Sequence, residues 1–206
     1  MNPKLLMKAL TENQLSLDEL KLEQLGQYLT LIDKWNRVFN LTAITDMREM
    51  VYLHLIDSLL ISPYLQGSRL LDVGSGAGLP GLPLAIMHPQ QQWTVMDKNN
   101  KKTRFMTQAV AELALKNVEV VHARAEEFHP EQGFDTIVSR AFGSLRLFAE
   151  STAHLLAANG MLLAMKGRYP SDELNDLPEY VRVDDIVRLT MAGMDAERHV
   201  IRLRKI

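Results

Sequence analysis

A glycine-rich segment near the middle of the chain constrains the fold more than any other feature of the sequence. Residues 70–86 read LLDVGSGAGLPGLPLAI, in which an apolar run ends at Asp72 and glycines follow at Gly74, Gly76, Gly78 and Gly81. Such a run, followed by closely spaced glycines and a second apolar stretch, is typical of a strand, a tight turn and a helix. In open α/β sheets ligands bind at the carboxyl ends of the strands, so the segment predicts a binding loop at a sheet edge.

Short apolar runs and amphipathic stretches alternate over the rest of the chain, and this alternation predicts an α/β fold with a mostly parallel, doubly wound sheet. The five predicted parallel strands are Arg69–Val73, Trp93–Asp97, Val118–Val121, Thr136–Ser139 and Met161–Met165. Helices are predicted over Asn100–Leu115 and Leu145–Ala158, the second closed by a C-cap at Asn159 and Gly160. Two strand-like runs near the end of the chain predict an antiparallel pair: Tyr180–Thr190 and Glu197–Lys205.

The first third of the chain is predicted to be helical. Ser16 begins a capping-box spacing, S-x-x-E, and apolar residues then recur at helical intervals. A second helix start is predicted at Asp46, with an end near Pro63. We therefore expect residues 1–65 to form a helical extension packed on a compact core of residues 66–206.

Two cofactor fingerprints overlap in the glycine-rich segment. From Gly76 the letters GAGLPG match the dinucleotide pattern G-x-G-x-x-G, whereas from Asp72 the letters DVGSGAG match the D-x-G-x-G-x-G pattern of S-adenosylmethionine (SAM) enzymes. Asp72 would repel a pyrophosphate and attract the ammonium or sulfonium group of SAM. Pro80 and Pro83 remove two N–H groups that a phosphate would need at a helix start. Asp97 suits a ribose of either cofactor, so the residues favour SAM and leave an NAD(P)-binding oxidoreductase as the alternative.

The composition excludes several kinds of chemistry. The chain has 206 residues and no cysteine, so disulfides, thiolate metal sites and cysteine nucleophiles are absent, and we expect no metal site. No apolar stretch approaches the ~20 residues of a membrane-spanning helix, and we expect a cytoplasmic protein with no membrane partner. Because the net charge is −2, a nucleic-acid substrate would have to meet a local basic patch.

The residues alone constrain the methyl acceptor less strongly. Exocyclic-amine methyltransferases often carry [DN]-P-P-[YF] at the end of the fourth strand, where this chain reads SRAF (139–142). No histidine-based acid/base pair stands out, and no catalytic side chain is identified. An acceptor with a free lone pair, such as guanine N7, needs orientation rather than a general base. Another RNA, a protein or a small molecule remains the alternative acceptor.

Three further elements give the sequence a specific resemblance. WNRVFNLTAI (35–44), HLIDSL (54–59) and VSRAF (138–142) flank the glycine-rich segment in an order that resembles the ribosomal RNA small subunit methyltransferase G family, also called glucose-inhibited division protein B. The resemblance extends from about Leu20 to the C-terminal ERHVIRLRK. It implies a Rossmann-like class I SAM-dependent enzyme that methylates guanine N7 at position 527 of 16S rRNA.

The resemblance also implies which residues hold the cofactor. The backbones of Gly74 and Leu79 would lie against the methionine part of SAM, and Asp97 would bind its ribose. The full set of expected cofactor-binding residues is Gly74, Gly76, Gly78, Leu79, Asp97, Ala125, Glu126 and Arg140. Ala125 and Glu126 match the pair beside the adenine, and Arg140 matches a contact near the methionine end.

Candidates for binding RNA lie on two segments. His54 and Asp57 are three residues apart on one helix face, and Lys166 and Arg168 follow the fifth strand at the cofactor edge. The other basic residues near this edge are interpreted as a solvated helix face: Lys98, Lys101, Lys102 and Arg104. Since specific RNA recognition mostly targets exposed loops, we expect the partner to be folded 16S rRNA, in the small ribosomal subunit or an assembly intermediate. The protein is expected to act as a monomer.

Overall fold

A seven-stranded mixed sheet forms the centre of the computed structural model, which describes residues 3–206. Its strands are β1 (Arg69–Val73), β2 (Gln92–Asp97), β3 (Val118–His122), β4 (Phe134–Arg140), β5 (Leu156–Lys166), β6 (Val181–Leu189) and β7 (Arg198–Lys205). The order is β3-β2-β1-β4-β5-β7-β6, with β1 to β5 parallel and β7 antiparallel to both β5 and β6. The predicted Rossmann-like class, with its antiparallel C-terminal strands, is confirmed.

Helices cover both faces of the sheet. They are α1 (Pro3–Glu12), α2 (Glu19–Phe39), α3 (Met47–Met50), α4 (Asp57–Leu59), α5 (Gly81–Met87), α6 (Asn100–Glu112), α7 (Leu145–Thr152) and α8 (Ser171–Leu174). Apolar residues of α1, α2, α5 and α6 share one core on one face, whereas α7 packs on the other face against β1 and β4. Within residues 3–206, no helix combines the length and apolar character needed to cross a membrane.

The end of α7 differs from the prediction. The helix ends at Thr152, a 3-10 turn carries the chain to Leu155, and β5 begins at Leu156. Gly160, expected at a helix C-cap, lies instead inside β5, where a Cβ would approach the carbonyl oxygen of Phe134 to 2.6 Å. The predicted helix over residues 145–158 is therefore wrong at its end, because pairing with β4 decides the structure of this segment.

The start of α2 also differs from the prediction. The N-cap is Asp18, whose carboxylate accepts a hydrogen bond from the Lys21 N–H at 2.9 Å, and not Ser16. A carboxylate also interacts favourably with the positive end of the helix dipole, so Asp18 is the better cap. Because α2 shares its core with α5 and α6, the extension covers the glycine-rich segment. The domain boundary at residue 66 stays a prediction.

The second helical region begins as predicted and continues in an unexpected form. The Asp46 carboxylate accepts from the Glu49 N–H at 2.9 Å and caps α3. The chain then forms a π-helix over Val51–Ile56 before α4. Short π-helical segments are rare and occur frequently at functional sites. This one contains the HLI of the HLIDSL element.

Candidate active site

The glycine-rich segment forms a tight loop between β1 and α5. Gly74, Gly76 and Gly78 have φ angles of +69°, +60° and +85°, a region that side chains strongly disfavour. At Gly78 a Cβ would also lie 2.4 Å from the Leu82 side chain, so only glycine fits. The Ser75 N–H donates to the carbonyl oxygen of Met96 at 3.0 Å, which ties the loop to the end of β2.

A tyrosine of the N-terminal extension fixes this loop from the outside. The Tyr28 hydroxyl is fully buried and donates to the carbonyl oxygen of Ala77 at 2.6 Å. Burial raises the pKa of Tyr28 well above its usual value, so the hydroxyl stays protonated and remains a donor. The extension therefore shapes the binding loop directly.

Tyr28→Phe is expected to lower the free energy of unfolding by about 1 to 3 kcal/mol, because it leaves the buried Ala77 carbonyl without its donor. It should also weaken cofactor binding through the loosened loop. Urea denaturation and calorimetric titration measure the two effects. Tyr52→Phe is the matched control, since the Tyr52 hydroxyl donates to Glu12 at 2.9 Å, away from the loop. Equal cofactor affinity in both variants would contradict a role for Tyr28 in shaping the loop.

The structure corrects the expected role of Asp72. Its side chain is fully buried beneath the loop, on the opposite face of β1 from Val73, and its Oδ2 accepts from the Gly81 N–H at 2.8 Å. Burial raises the pKa of Asp72 to about 7. The carboxyl group thus holds the start of α5 in place and does not present a full charge to a ligand. Asp72, expected to attract the ammonium or sulfonium group of SAM, therefore has no exposed surface with which to contact a ligand.

The expectation drawn from the prolines agrees with the geometry of α5. Pro80 and Pro83 have no N–H, the Gly81 N–H is bound to Asp72, and the Leu82 N–H donates to the carbonyl oxygen of Gly78 at 2.8 Å. The first turn of α5 therefore has no N–H group left for a phosphate. This arrangement disfavours a pyrophosphate at the position where dinucleotide-binding folds hold one.

A cavity of about 310 Å³, called here the first cavity, opens beside this loop at the carboxyl ends of the strands. Its lining includes Val73, Gly74, Met96, Asp97, Lys98, Lys102, Ala123, Arg124, Ala125, Glu126, Ala141, Phe142 and Leu147. Four of the expected cofactor-binding residues are therefore brought together: Gly74, Asp97, Ala125 and Glu126. A cavity of this size at this edge of an α/β sheet is where a ligand is expected.

Two backbone N–H groups hold the Asp97 carboxylate in the first cavity. Its Oδ2 accepts from the Gly76 N–H at 2.9 Å and its Oδ1 accepts from the Asn99 N–H at 2.8 Å. Lys102 Nζ lies 3.8 Å from Oδ2. Because a carboxylate has about four lone-pair positions, these contacts fix Asp97 and leave acceptor capacity for two hydroxyl groups.

Glu126 lies at another wall of the same cavity, in a 3-10 turn that follows β3. Its Oε1 accepts from the Ser151 hydroxyl at 2.8 Å. A hydrogen bond from its own backbone N–H, followed by the bond from Ser151, lowers the pKa of Glu126. The first cavity therefore carries an ionised acidic group at this wall near neutral pH.

The other expected cofactor residues lie outside the lining. Gly76 contacts Asp97, whereas Gly78 and the buried Leu79 belong to the turn that packs against α5. Lys98 and Lys102, interpreted as part of a solvated helix face, line the cavity instead, because the capped start of α6 points to the sheet edge. Phe142 was not predicted, although it belongs to the VSRAF element.

A second cavity, of about 500 Å³, adjoins the first, and Ala141 lines both. The N-terminal extension supplies one wall and the ends of β4, β5 and β7 supply the other. Its lining includes Thr42, Ala43, Ile44, Leu53, His54, Asp57, Arg140, Ala141, Met165, Lys166, Gly167 and Arg198. Arg140, expected at the cofactor, has its side chain in this second cavity.

A buried carboxylate organises the second cavity. Asp57 Oδ2 lies 3.2 Å from Arg140 Nη1, and Asp57 Oδ1 lies 2.8 Å from Arg198 Nε. Arg140 Nη1 also donates at 2.7 Å to the carbonyl oxygen of Leu53, which belongs to the π-helix. Asp57 is 3% exposed and each arginine side chain is 23% exposed. One carboxylate thus joins the extension to β4 and β7.

The predicted RNA-binding residues have different surroundings. His54 is buried, its Nε2 lies 3.0 Å from Thr42 Oγ1, and burial lowers its pKa to about 4, so it is neutral at pH 7. Lys166 Nζ lies 2.8 Å from Glu173 Oε2 and donates to the Gly143 carbonyl. Arg168 is exposed and lies outside the lining of both cavities. His54 and Lys166 therefore both line the second cavity, whereas Arg168 lies outside its lining.

Metal-ligating side chains do not converge in the part of the chain that the structure describes. Residues 3–206 hold no group of three or more histidine, aspartate or glutamate side chains arranged to bind a metal ion.

Comparison with known proteins identifies the family. The family model described as rRNA small subunit methyltransferase G matches residues 21–201. The chain belongs to this family. Members at about half sequence identity include the methyltransferase G of Chromobacterium violaceum, 48% identical over 96% of this chain and 95% of that protein. The methyltransferase G of Laribacter hongkongensis is 50% identical over 87% of this chain and 86% of that protein. Family membership makes the chain an rRNA small subunit methyltransferase.

Solved structures of more distant proteins share the fold of this chain. The N-methyltransferase NodS of Bradyrhizobium japonicum matches with a TM-score of 0.57 at 18% identity, over 79% of this chain and 99% of that one. A precorrin-6y C5,15-methyltransferase of Geobacter metallireducens matches with a TM-score of 0.54 at 16% identity, over 80% and 92%. At these identities the likeness concerns the fold alone.

Proposed function

We propose that this chain transfers the methyl group of SAM to N7 of guanine 527 in 16S rRNA. The observation that carries the proposal is the pair of adjoining cavities at the carboxyl edge of the sheet, in a chain of this family. One cavity holds a fixed carboxylate and the other holds guanidinium groups. A cofactor and an acceptor in these cavities would meet at Ala141, which lines both.

The residues of the first cavity fit SAM better than a dinucleotide. Asp97 has acceptor capacity for the two ribose hydroxyls, and the loop at Gly74 provides a wall without a side chain. Ala125 and Glu126 would lie beside the adenine. The first turn of α5 has no N–H group left for a pyrophosphate, which counts against the NAD(P) alternative. When bound, SAM supplies an electrophilic methyl group.

The second cavity suits an acceptor that gives up no proton. Guanine N7 attacks through a lone pair, so the reaction needs proximity and orientation rather than a general base. His54 is the only histidine that lines this cavity among the described residues, and Thr42 fixes its orientation. The contribution of this chain is therefore to orient the base and to exclude water.

The RNA around the target base would meet the basic rim of the two cavities. Lys98, Lys102 and Arg124 border the first cavity, and Arg168 is exposed just beyond the second. These charges are local, since the net charge of the chain is −2. We therefore expect a folded target, in which phosphates and the exposed base are presented together, to be bound better than short RNA.

Methyl transfer with purified components tests the proposal. Small ribosomal subunits that lack the modification, incubated with the protein and methyl-labelled SAM, are expected to gain label in 16S rRNA at a single guanine. Short hairpins of the same sequence are expected to gain much less. Label in a ribosomal protein instead of the RNA would contradict the proposed acceptor, and equal labelling of hairpins would contradict the folded target.

A further inference from the structure

The arginines of the second cavity have hydrogen-bond donors that the protein does not use. Arg140 engages Leu53 and Asp57 through Nη1 alone, and its Nε and Nη2 make no hydrogen bond within residues 3–206. Arg198 uses Nε for Asp57 and Nη1 for the carbonyl oxygen of Glu197, which leaves its Nη2 unused in the same range. Two guanidiniums thus offer spare N–H groups beside one cavity.

The charges of the second cavity favour an electron-rich ligand edge. Asp57 faces two guanidiniums, so this buried cluster carries one excess positive charge. Lys166 is neutralised by Glu173 at 2.8 Å. His54 is neutral at pH 7. A ligand that presents acceptor atoms fits these surroundings, whereas a ligand that presents donors leaves the guanidinium groups unpaired.

Purine bases differ at the atom that such donors would contact. Next to N7, guanine carries the acceptor O6, whereas adenine carries an amino donor. The N7 lone pair itself must stay free for methylation, so a guanidinium that helps the reaction has to contact the neighbouring atom. Donation to O6 meets this requirement and also distinguishes guanine from adenine.

We propose that Arg140 and Arg198, held in place by Asp57, select guanine in the second cavity by donating hydrogen bonds to its O6. The inference rests on the proposed function and adds to it the atom that is recognised. Arg140 and Arg198 are specificity-determining residues on this account. Asp57 is a positioning residue, since its two oxygens are occupied by the arginines.

Base analogues at the target position test which atom is recognised. Small subunits are reconstituted with 16S rRNA that carries guanine, inosine or 2-aminopurine at position 527. Inosine keeps O6 and N7 and lacks the 2-amino group, whereas 2-aminopurine keeps N7 and lacks O6. We expect inosine to be methylated within about threefold of guanine and 2-aminopurine to be methylated at least about tenfold more slowly. Rates are normalised to the reactivity of each N7 toward dimethyl sulfate.

A matched pair of arginine variants tests the assignment to this cluster. Arg198→Lys keeps the charge and loses the planar fork, and we expect it to lower the preference for guanine over 2-aminopurine about tenfold while leaving the dissociation constant of SAM unchanged. Arg204→Lys is the control, because Arg204 lies on the same strand, is 24% exposed and binds Asp184 at 3.0 Å, away from the cavity. Arg204→Lys should keep the full preference for guanine over 2-aminopurine. Asp57→Asn should lower the preference as Arg198→Lys does.

The outcomes separate this inference from the proposed function. No methylation of the guanine-containing subunits by the unmodified protein would contradict the proposed function itself. Normal methylation of guanine with an equal rate on 2-aminopurine would overturn the inference alone. An Arg198→Lys variant that keeps the preference, or that loses SAM binding, would overturn the assignment to the arginines.

Discussion

Asp97→Ala is expected to weaken SAM binding about 5- to 150-fold, equivalent to about 1 to 3 kcal/mol, because it removes the charge-assisted hydrogen bonds that we assign to the ribose. The substitution also releases the Gly76 N–H and the Asn99 N–H, which the carboxylate holds at 2.9 and 2.8 Å. The loop and the start of α6 would both loosen, which adds to the loss. Calorimetric titration of the folded variant with SAM measures the effect.

Asp135→Ala is the matched control for this experiment. Asp135 also accepts from two backbone N–H groups, those of Ser68 at 2.8 Å and Arg69 at 3.0 Å, but it lies at the opposite end of the sheet from the cavities. Asp135→Ala should lower the free energy of unfolding and leave the affinity for SAM unchanged. Unchanged affinity in Asp97→Ala, with the variant folded, would contradict the assignment of the ribose to Asp97.

The stability of the protein relative to an Asp72→Asn variant is expected to fall by about 2 to 3 kcal/mol between pH 5 and pH 8. Burial is the main cause that raises the pKa of Asp72 to about 7, nearby Asp97 raises it further, and Gly81, Ser75 and Arg140 lower it. Between the usual value of 3.8 and about 7 the folded state binds more protons than the unfolded state. The free energy of unfolding therefore decreases as the pH rises through this range, whereas asparagine stays neutral throughout.

Urea denaturation at several pH values measures this difference, with Asp184→Asn as the control. A hydrogen bond from Arg204 lowers the pKa of Asp184, so this group is ionised in both states from pH 5 to pH 8. The difference in free energy of unfolding between Asp184→Asn and the unmodified protein should therefore not vary with pH in that range. If the difference in free energy of unfolding for Asp72→Asn is also constant from pH 5 to pH 8, Asp72 is ionised in the folded protein. That result would contradict the raised pKa expected from its burial beneath the loop.

Local sequence signals predicted the elements that local interactions determine. The strand Arg69–Val73 and the cap at Asp46 have the predicted positions, because apolar alternation and a capping carboxylate act within a few residues. The end of α7 was predicted wrongly, since the Asn159-Gly160 pair has the local pattern of a helix end. Pairing with β4, which is a long-range interaction, placed both residues inside β5.

The candidate site was predictable only in part, for the same reason. Asp97 and the glycines follow a known pattern, and the structure brings Asp97 and Gly74 to one cavity. In the second cavity Asp57 contacts Arg140 and Arg198, which follow it in the sequence by 83 and 141 positions. No spacing rule connects residues so far apart. The π-helix that presents Leu53 to Arg140 was also not predicted from the sequence. These features required the tertiary structure.

The most direct test of the central claim is mass spectrometry of 16S rRNA from cells with and without the gene for this chain. Nucleolytic fragments that contain guanine 527 should carry one N7-methyl group in cells with the gene and none in cells without it. A copy that encodes Asp97→Ala should restore the modification poorly, whereas a copy that encodes Asp135→Ala should restore it. Persistence of 7-methylguanine at position 527 in cells that lack the gene would contradict the account.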